Sequence, residues 1–360
     1  MALSPWQKKI ESYWYTRPGP LWLLFPLELL FAFASKIAHK QDSARQRNFA
    51  VPILVVGNIS VGGTGKTPAL INLLLFFKEK GLTPGVVSRG YGRNTDLPFI
   101  VNETSRSADV GEEPLLIYQQ SACPVSVHSD RQFAAEFLLK MHPECNVILA
   151  DDGLQHYKLK RDFELALVDA ERLFGNGHLL PLGPLREKPN RLESVNWIVL
   201  NERNGAALNA EQALASVVSD KQKVSVARLH VNTVQHIQSG AELEISAFKH
   251  ALNTQKLHAI AAIGHPEAFF TSLHLMSTDI ETHSFPDHYV WRAEELVCFS
   301  GQHLICTSKD AVKVRELLSK YPQLDASHWY FLQVELALDQ NVKQNIYDAI
   351  MKLNKRSQVS

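Results

Sequence analysis

Lys66 and Thr67 close a glycine-rich run whose residue types and order are those of a phosphate-binding loop. The run Gly62-Gly-Thr-Gly-Lys-Thr67 follows a short apolar segment and precedes a stretch, residues 68–80, that is predicted to be helical. Glycines let backbone amides surround phosphate oxygens, while the lysine and the hydroxyl serve the terminal phosphates and Mg²⁺. Ser60 stands where the usual pattern has glycine. The pattern predicts a nucleotide site formed by Ser60, Gly62, Gly63, Thr64, Gly65, Lys66 and Thr67.

Two adjacent carboxylates, Asp151 and Asp152, follow an apolar strand predicted over residues 146–150. An enzyme with a phosphate loop needs an acid at such a strand end to hold Mg²⁺, directly or through water. We therefore predict that Asp151 and Thr67 are metal ligands. Asp152 is predicted to be a catalytic residue that binds metal or orients Gln155 and His156. The alternative is an ordinary strand-end turn, which such acids also cap.

Three other segments carry charged side chains suited to phosphate or sugar. The loop 88–93 contains two arginines and a tyrosine, and guanidinium groups match phosphate geometry; a solvated basic turn is the alternative. Arg131 begins a predicted helix and could serve a phosphate or a structural carboxylate. The rigid loop 181–188 ends in charges and suits the wall of a pocket. The predicted substrate contacts are Tyr91, Arg93, Glu113, Arg131, Gln155, His156, Arg186 and Glu187.

Glu112 and Glu113 lie in a loop before an apolar helix, where acids also serve as helix N-terminal charges. His288 follows a predicted strand of the second half of the chain. A histidine beside a carboxylate can act as a general base near neutral pH, although a structural role is the alternative for a single histidine.

Composition limits the class of protein. The 360 residues are enough for two domains, and the 37 Lys and Arg residues balance the 37 Asp and Glu residues. No overall field therefore attracts nucleic acid. The four cysteines form no C-x-x-C pair, which indicates a reducing compartment, and no secretory signal is evident.

Short apolar runs alternate with helix-like segments through most of the chain. Runs such as 84–88 and 164–169 do not alternate polar with apolar residues, as expected for buried parallel strands. The pattern predicts an α/β fold: a P-loop NTPase-like, doubly wound parallel sheet with a second, smaller α/β domain. The predicted boundaries are 1–48 for an N-terminal helical segment, 49–205 for the nucleotide domain, 206–250 for a β-ribbon or linker, and 251–360 for the smaller domain.

The N-terminal segment is apolar, aromatic and basic. Residues 1–50 hold seven Lys and Arg residues against three Asp and Glu residues. The apolar run 21–34 is too short to span a bilayer, but its composition suits the headgroup boundary of an anionic membrane surface. A helical hairpin packed on its own domain is the alternative, and the two interpretations are compatible.

The motifs occur together in an order that closely resembles the tetraacyldisaccharide 4′-kinase family of lipid A biosynthesis. The residues that carry the resemblance lie in seven segments, 60–68, 88–92, 111–114, 151–156, 184–187, 286–288 and 307–312. The resemblance extends over nearly the whole chain, from the N-terminal apolar segment to beyond residue 310. The set is specific, although each piece alone is weak.

The resemblance implies an ATP-dependent kinase that phosphorylates the 4′-hydroxyl of an acylated glucosamine disaccharide 1-phosphate, giving lipid IVA. It also implies a peripheral protein on the cytoplasmic face of the bacterial inner membrane. We expect a monomer. The family pairs an acid matching Glu112, where aspartate is usual, with a histidine matching His288. This implies a catalytic dyad that accepts the hydroxyl proton, while Lys66, Thr67, Mg²⁺ and Asp151 stabilise the transferred phosphoryl group.

The main alternative is a membrane-surface regulatory ATPase of the partitioning type. Those proteins carry a similar glycine-rich loop, with a lysine just before the paired glycines; here that position is Val61. A soluble kinase or ligase on the same fold would leave the N-terminal aromatic residues unexplained.

Overall fold

The computed structural model describes residues 5–202, 206–252, 255–264, 266–274, 276, 279–287 and 289–357. In these ranges the helices are α1 Pro5–Trp14, α2 Phe25–Ser43, α3 Lys66–Glu79, α4 Ser107–Val110, α5 Glu112–Ser121, α6 Arg131–Met141, α7 Ala207–Ala215, α8 Ile245–Leu252, α9 Pro266–His274, α10 Ala293–Val297, α11 Ser308–Lys320 and α12 Gln340–Ser357. The strands are β1 Ile53–Gly57, β2 Pro84–Ser88, β3 Phe99–Ile100, β4 Val125–Val127, β5 Val147–Asp151, β6 Phe163–Asp169, β7 Trp197–Glu202, β8 Val224–His236, β9 Glu242–Glu244, β10 Leu257–Ala261, β11 Ile280–Ser284, β12 His303–Thr307 and β13 Trp329–Ala337. Short 3₁₀ helices cover Gly19–Leu24, Pro189–Ser194 and Lys221–Lys223.

The strands form one sheet, in the order β11-β10-β12-β13-β8-β7-β6-β1-β5-β2-β4-β3, with β9 paired to β8. In the first half, from β7 to β4, neighbouring strands are parallel, and only the short edge strand β3 is antiparallel. The second half has three parallel pairs, from β11 to β13. This architecture confirms the predicted doubly wound α/β fold with a second α/β set.

Helices cover both faces of the first half because successive residues of a strand point to opposite faces. Leu54 and Val56 of β1 belong to a core that contains the apolar residues of α3 and α5. Ile53 and Val55 belong to the core on the other face, with residues of α6 and α7. The strands are therefore buried on both sides, which explains their continuous apolar sequences.

Strand β8 joins the two halves. Its first residues pair in parallel with β7, and residues 228–236 pair antiparallel with β13. The last helix, α12, also connects the halves, because Ile346 and Ile350 pack in the core of α3 rather than in the cores of the second half. The division at residues 206 and 251 stays a prediction.

The N-terminal helices lie against the first half through a few polar contacts and through Phe31 and Ala32 of α2, which pack against its core. Gly19–Ser43 forms a helical stretch of 25 residues that contains an 18-residue window of mean hydropathy 1.7, and by length and composition it could cross a membrane. It is longer than the apolar run 21–34 because the 3₁₀ helix continues directly into α2. The Glu28 carboxylate accepts a hydrogen bond from the Leu179 amide at 2.8 Å and pairs with His178 Nδ1 at 3.0 Å. Trp14 Nε1 donates to the Pro181 carbonyl at 3.1 Å.

Candidate active site

The glycine-rich loop lies between the end of β1 and the start of α3. Gly65 immediately precedes the helix with φ +88°, in the region that favours glycine. A Cβ at this position would lie 2.7 Å from Asn201 Nδ2, which donates to the Thr64 carbonyl at 3.1 Å. Glycine is therefore required here by both backbone conformation and space. Helix α3 begins at Lys66, so its free N-terminal amides and its dipole face the loop, as an anion-binding site needs.

Asp151 ends β5 and is only 2% exposed. Its Oδ2 accepts a hydrogen bond from Ser88 Oγ at 3.0 Å, while among the described residues Oδ1 has no hydrogen-bond partner. Burial, with the added repulsion of Glu113 and Asp152, raises the pKa of Asp151 to about 7. A buried carboxylate oxygen without a partner beside a threonine-bearing phosphate loop fits a hard divalent cation, which prefers oxygen ligands. Asp151 and Thr67 therefore fit Mg²⁺.

Asp152 lies between two cations. Its φ of +46° is unusual for a residue other than glycine and places it directly after β5 in a sharp turn. One carboxylate oxygen lies 3.7 Å from Lys66 Nζ, and the other lies 3.0 Å from Arg186 Nη1. Burial favours the protonated acid, but the two cations outweigh it and hold the pKa of Asp152 below its usual range. The turn thus links the phosphate-loop lysine to the loop that carries Arg186.

The loop that carries Arg186 and Glu187 is fixed to the phosphate loop by its backbone. The Val61 amide donates to the Pro184 carbonyl at 2.8 Å, and the Arg186 amide donates to the Ile59 carbonyl at 2.7 Å. Gln155 Nε2 donates to Glu187 Oε1 at 2.7 Å. These contacts hold an arginine, an amide and a carboxylate at one wall of the site.

Arg131 and His156 lie near the adjacent carboxylates Asp151 and Asp152. Arg131 is 3% exposed, and its Nη2 donates to the Asp151 carbonyl at 3.4 Å. Burial lowers its pKa to about 10, so it remains a cation at neutral pH. Burial, together with Arg131 and Arg89, lowers the pKa of His156 to about 3. The His156 ring is therefore uncharged at neutral pH, with one ring nitrogen able to donate and the other able to accept a hydrogen bond.

Glu112 and Glu113 begin α5 and each pair with a lysine of α11. Lys313 Nζ lies 3.1 Å from Glu112 Oε1, and Lys309 Nζ forms an ion pair with Glu113. Burial disfavours the charged form of Glu113, but Lys309 outweighs it and lowers the pKa of that carboxyl. His288, the other member of the predicted dyad, lies outside the described residues.

A cleft of about 1980 Å³ brings most of the predicted residues together. It is bounded by the phosphate loop, one face of α2, and residues of the second half. The predicted residues that line it are Gly62, Gly63, Thr64, Gly65, Lys66, Thr67, Tyr91, Glu112, Glu113, Arg131, Asp151, Asp152, Gln155, His156, Arg186 and Glu187. Its size is above that of a usual small-molecule site, which leaves room for two ligands.

Two predicted residues do not line this cleft. Arg93 Nη1 donates to the carbonyls of Leu97 and Val127, at 2.9 and 3.2 Å, so its described contacts are with the backbone of its own region. Ser60 forms a bridge with Leu185 and thus helps to join the two loops.

Sequence reasoning missed several residues of the site. Asn58 and Asn201 are fully buried at the ends of β1 and β7, and the side-chain nitrogen and oxygen of Asn58 have no partner among the described residues. Asn58 directly follows β1 and Asn201 is the penultimate residue of β7, so their position at the carboxyl edge of the sheet was a usable signal. Lys309 follows β12 and lies in the segment 307–312 that carries the family resemblance, but its pairing with Glu113 could not be read from the sequence. Lys313 gave no such signal, because the pairing of both lysines with α5 depends on the packing of distant helices.

Comparisons with known proteins agree with this geometry. The family model described as tetraacyldisaccharide-1-P 4′-kinase matches residues 20–351. A protein of Nitrosococcus oceani named tetraacyldisaccharide 4′-kinase is 40% identical over 315 residues, 86% of this chain and 87% of its own length. A protein of Pasteurella multocida with the same name is 39% identical over 332 residues, 90% of this chain and 93% of its own.

A crystal structure of LpxK from Aquifex aeolicus in complex with ATP has the same fold. It superposes with a TM-score of 0.71 at 23% sequence identity, covering 92% of this chain and 99% of that protein. These matches do not favour the partitioning-type ATPase. Together with the loop, the paired acids and the cleft, they establish that the chain belongs to the tetraacyldisaccharide-1-P 4′-kinase family.

Proposed function

We propose that this protein is an ATP-dependent kinase that phosphorylates the 4′-hydroxyl of a tetraacylated glucosamine disaccharide 1-phosphate, the step of lipid A biosynthesis that yields lipid IVA. The relatives named above carry this activity in their names. The observation that carries the proposal is that Lys66 and Asp151 line the same cleft, and that Asp151 Oδ1 has no hydrogen-bond partner within the described part of the chain. The cleft is large enough for a nucleotide and a sugar side by side.

The nucleotide phosphates are proposed to bind at the amides of the glycine-rich loop and the start of α3. Lys66 lies there with its charge partly balanced by Asp152, 3.7 Å away, so it is oriented before the nucleotide arrives. Arg186 is held by the same carboxylate and offers a second cation. Thr67 and Asp151 would hold Mg²⁺, which when bound supplies positive charge to the phosphate oxygens. Lys66 and Arg186 stabilise the charge that spreads over the transferred group.

The experiment that tests this function separates transfer from hydrolysis. The purified chain is given γ-labelled ATP with Mg²⁺, with and without the acyl disaccharide acceptor in mixed micelles. We expect label to enter the lipid at the 4′ position, with little release of phosphate when acceptor is absent. ATP hydrolysis that is equally fast without acceptor, and no labelled lipid, would overturn the proposal and favour the partitioning-type ATPase.

The acceptor hydroxyl needs a base, and Glu112 is proposed for that role with His288. Glu112 lines the cleft at the start of α5, and its contact with Lys313 at 3.1 Å fixes the carboxylate. Glu113 is held by Lys309 instead and is proposed to contact substrate. The side chain of Glu112 is one CH₂ longer than the aspartate usual in the family. The position of its carboxylate relative to the acceptor hydroxyl therefore depends on the contact with Lys313.

We expect Glu112→Gln to lower kcat about a hundredfold, since a positioned base typically contributes about 10²–10⁴-fold. KM for ATP should change little, because the substituted group is not proposed to contact the nucleotide. Steady-state kinetics with saturating acceptor measures both. Glu103→Gln, an exposed glutamate in a nearby loop, is the control. A larger loss of kcat in Glu113→Gln than in Glu112→Gln would assign the base to Glu113.

The protein is proposed to act as a monomer lying on the cytoplasmic face of the inner membrane, where ATP is available. Only 6% of the apolar window of Gly19–Ser43 is buried. Several residues of α2 between 31 and 42 line the cleft, and Glu28 is fixed to Leu179. A helix that lines the active-site cleft over its C-terminal part does not cross the bilayer there, so we propose that it lies at the surface with its exposed apolar side in lipid.

The double substitution Leu30→Glu and Phe33→Glu should weaken binding to anionic liposomes about a hundredfold. The two side chains are 62% and 65% exposed, and burying each in lipid contributes about 1.5–3 kcal/mol. Co-sedimentation with vesicles measures the effect. Leu208→Glu is the matched control, because Leu208 is 74% exposed on α7, in the first half. Unchanged sedimentation of the double variant would place the membrane contact elsewhere on the protein.

A further inference from the structure

Three potential metal ligands lie together on one face of the edge of the sheet, away from the catalytic cleft. His258 is on β10, and Glu281 and His283 are on the edge strand β11. His258 is the register partner of Glu281, and His283 lies two residues further along β11, so all three side chains share a face. One ligand atom from each residue lies within 4.8 Å of the others. None of the three is among the residues that line the cleft.

The distances in this cluster suit a tetrahedral ion. His258 Nδ1 and His283 Nε2 are 3.3 Å apart. With metal–nitrogen bonds of about 2.0–2.1 Å, two ligands of a tetrahedral site are separated by about 3.3–3.4 Å. Glu281 Oε2 lies 3.7 Å from the His258 nitrogen, and Oε1 lies 3.9 Å from the His283 nitrogen. Rotation about the glutamate side-chain bonds is enough to bring one oxygen to the third position.

The surroundings keep the two rings in place. Phe299 packs against both imidazoles, with ring centroids 5.3 Å from His258 and 5.1 Å from His283. The side chain of His258 is 12% exposed. Packing already orients the two rings, and only the more exposed carboxylate of Glu281 has to be ordered. Binding an ion at this site therefore costs little side-chain conformational entropy.

One charged neighbour opposes an ion at this position. Lys256 Nζ lies 2.6 Å from Glu281 Oε2 and neutralises the carboxylate. Lys256 is half exposed and can turn into solvent. The competing explanation of the 3.3 Å contact is a simple hydrogen bond between the two imidazoles. On that explanation, replacing Lys256 would not change the affinity of the protein for a metal ion.

We propose that His258, Glu281 and His283 bind a divalent transition-metal ion of the Zn²⁺ class, with water in the fourth position. Two imidazoles and one carboxylate select such an ion over Mg²⁺, which prefers oxygen ligands. The ion links the edge strand β11 to β10. Because β11 is followed by Asp287, which lines the cleft, this link holds in place the strand that precedes this part of the cleft wall. The proposal is independent of the kinase activity.

The test uses the full chain, freed of affinity tags and of metal with a chelator. Zn²⁺ binding is measured by calorimetry, and Co²⁺ serves as a probe because tetrahedral Co²⁺ has a strong visible absorption band. We expect one equivalent to bind, with affinity at least about tenfold lower in His283→Ala and in Glu281→Gln. Lys256→Gln should bind more tightly than the wild type. His250→Ala, on the exposed side of α8, is the control and should bind like the wild type.

Thermal unfolding of the metal-free variants shows that each is folded, and Zn²⁺ should raise Tm in the wild type but not in Glu281→Gln. Glu281 is about half exposed, so this variant tests the proposal even if the histidine variant is unstable. Absence of Zn²⁺ binding in the wild type would overturn the proposal. Binding that is unaffected by Glu281→Gln, His283→Ala and Lys256→Gln would overturn it as well.

Discussion

Lys66→Ala should lower kcat/KM for phosphoryl transfer by about 10²–10³-fold, the range found when one preorganised charge-stabilising group is removed. Lys66 begins α3 with its side chain only 12% exposed and lies 3.7 Å from Asp152. Its ammonium group is therefore held within the cleft, where the terminal phosphates are proposed to lie. Labelled-phosphate transfer at several ATP concentrations measures the loss.

Lys80→Ala is the matched control, because Lys80 is exposed at the other end of α3. It should leave both kcat and KM within about twofold of the wild type, because Lys80 does not line the cleft and a surface substitution of this kind typically changes stability by less than about 0.5 kcal/mol. Normal transfer by Lys66→Ala would mean that the nucleotide binds away from the glycine-rich loop, and the proposed site would be wrong even though the family assignment would stand.

Asp151→Asn should remove activity by a similar or larger factor and at the same time stabilise the metal-free protein above pH 7. The activity falls because the amide is a poor replacement for a carboxylate that holds a cation. The stability rises because a buried charge is removed: burial first, then Glu113 and Asp152, raises the pKa of Asp151 to about 7. Such opposite effects on stability and function are common at active sites.

The sign of the pH dependence follows from linkage. The folded state binds the Asp151 proton more tightly than the unfolded state, whose carboxyl has a pKa of about 4. As pH rises from about 4 to about 7, the wild type therefore loses folding stability at this group, and above that range the loss is complete. Denaturant unfolding of wild type and Asp151→Asn in chelator, at pH 5 and pH 8, measures it. A difference between the two proteins that does not grow with pH would contradict this explanation.

Ser88→Ala is the control for Asp151→Asn. Ser88 donates to Asp151 Oδ2 at 3.0 Å and stabilises the charged carboxylate without being a proposed ligand. Its removal should raise the pKa of Asp151 further and reduce activity much less than Asp151→Asn. Equal losses in the two variants would indicate that Asp151 acts through its hydrogen bond to Ser88 and does not hold a cation.

The strands of the first half could be predicted because they are buried on both faces. Residues 84–88 are predicted as a strand, and β2 has these bounds. The partner of β8 could not be predicted in this way. The sequence predicts only a β-ribbon or linker over residues 206–250, whereas the strand extends from Val224 to His236 because β13, a hundred residues later, supplies an antiparallel partner. Pairing over such a separation leaves no local pattern in the sequence.

The residues of the site also fall into two groups: some could be predicted from a local sequence pattern, and others depend on the packing of distant segments. Lys66 and Asp151 were predicted because each follows an apolar strand with a recognisable turn, and the edge of a parallel sheet brings such turns together. The lysine partners of Glu112 and Glu113 were not, since they come from α11, about two hundred residues away. Arg93 is predicted as a substrate contact from its residue type; its Nη1 donates to the carbonyls of Leu97 and Val127, and its substrate role stays a prediction.

The anchoring of the N-terminal helices has a consequence for how the enzyme responds to lipid. Trp14 and Glu28 hold the residues 178–181, and the same short loop continues to Arg186, whose side chain reaches Asp152. If α2 lies in the bilayer surface as proposed, a change in its depth would be transmitted through this loop to Arg186. We therefore expect turnover to vary with lipid packing even for an acceptor that is freely soluble in water.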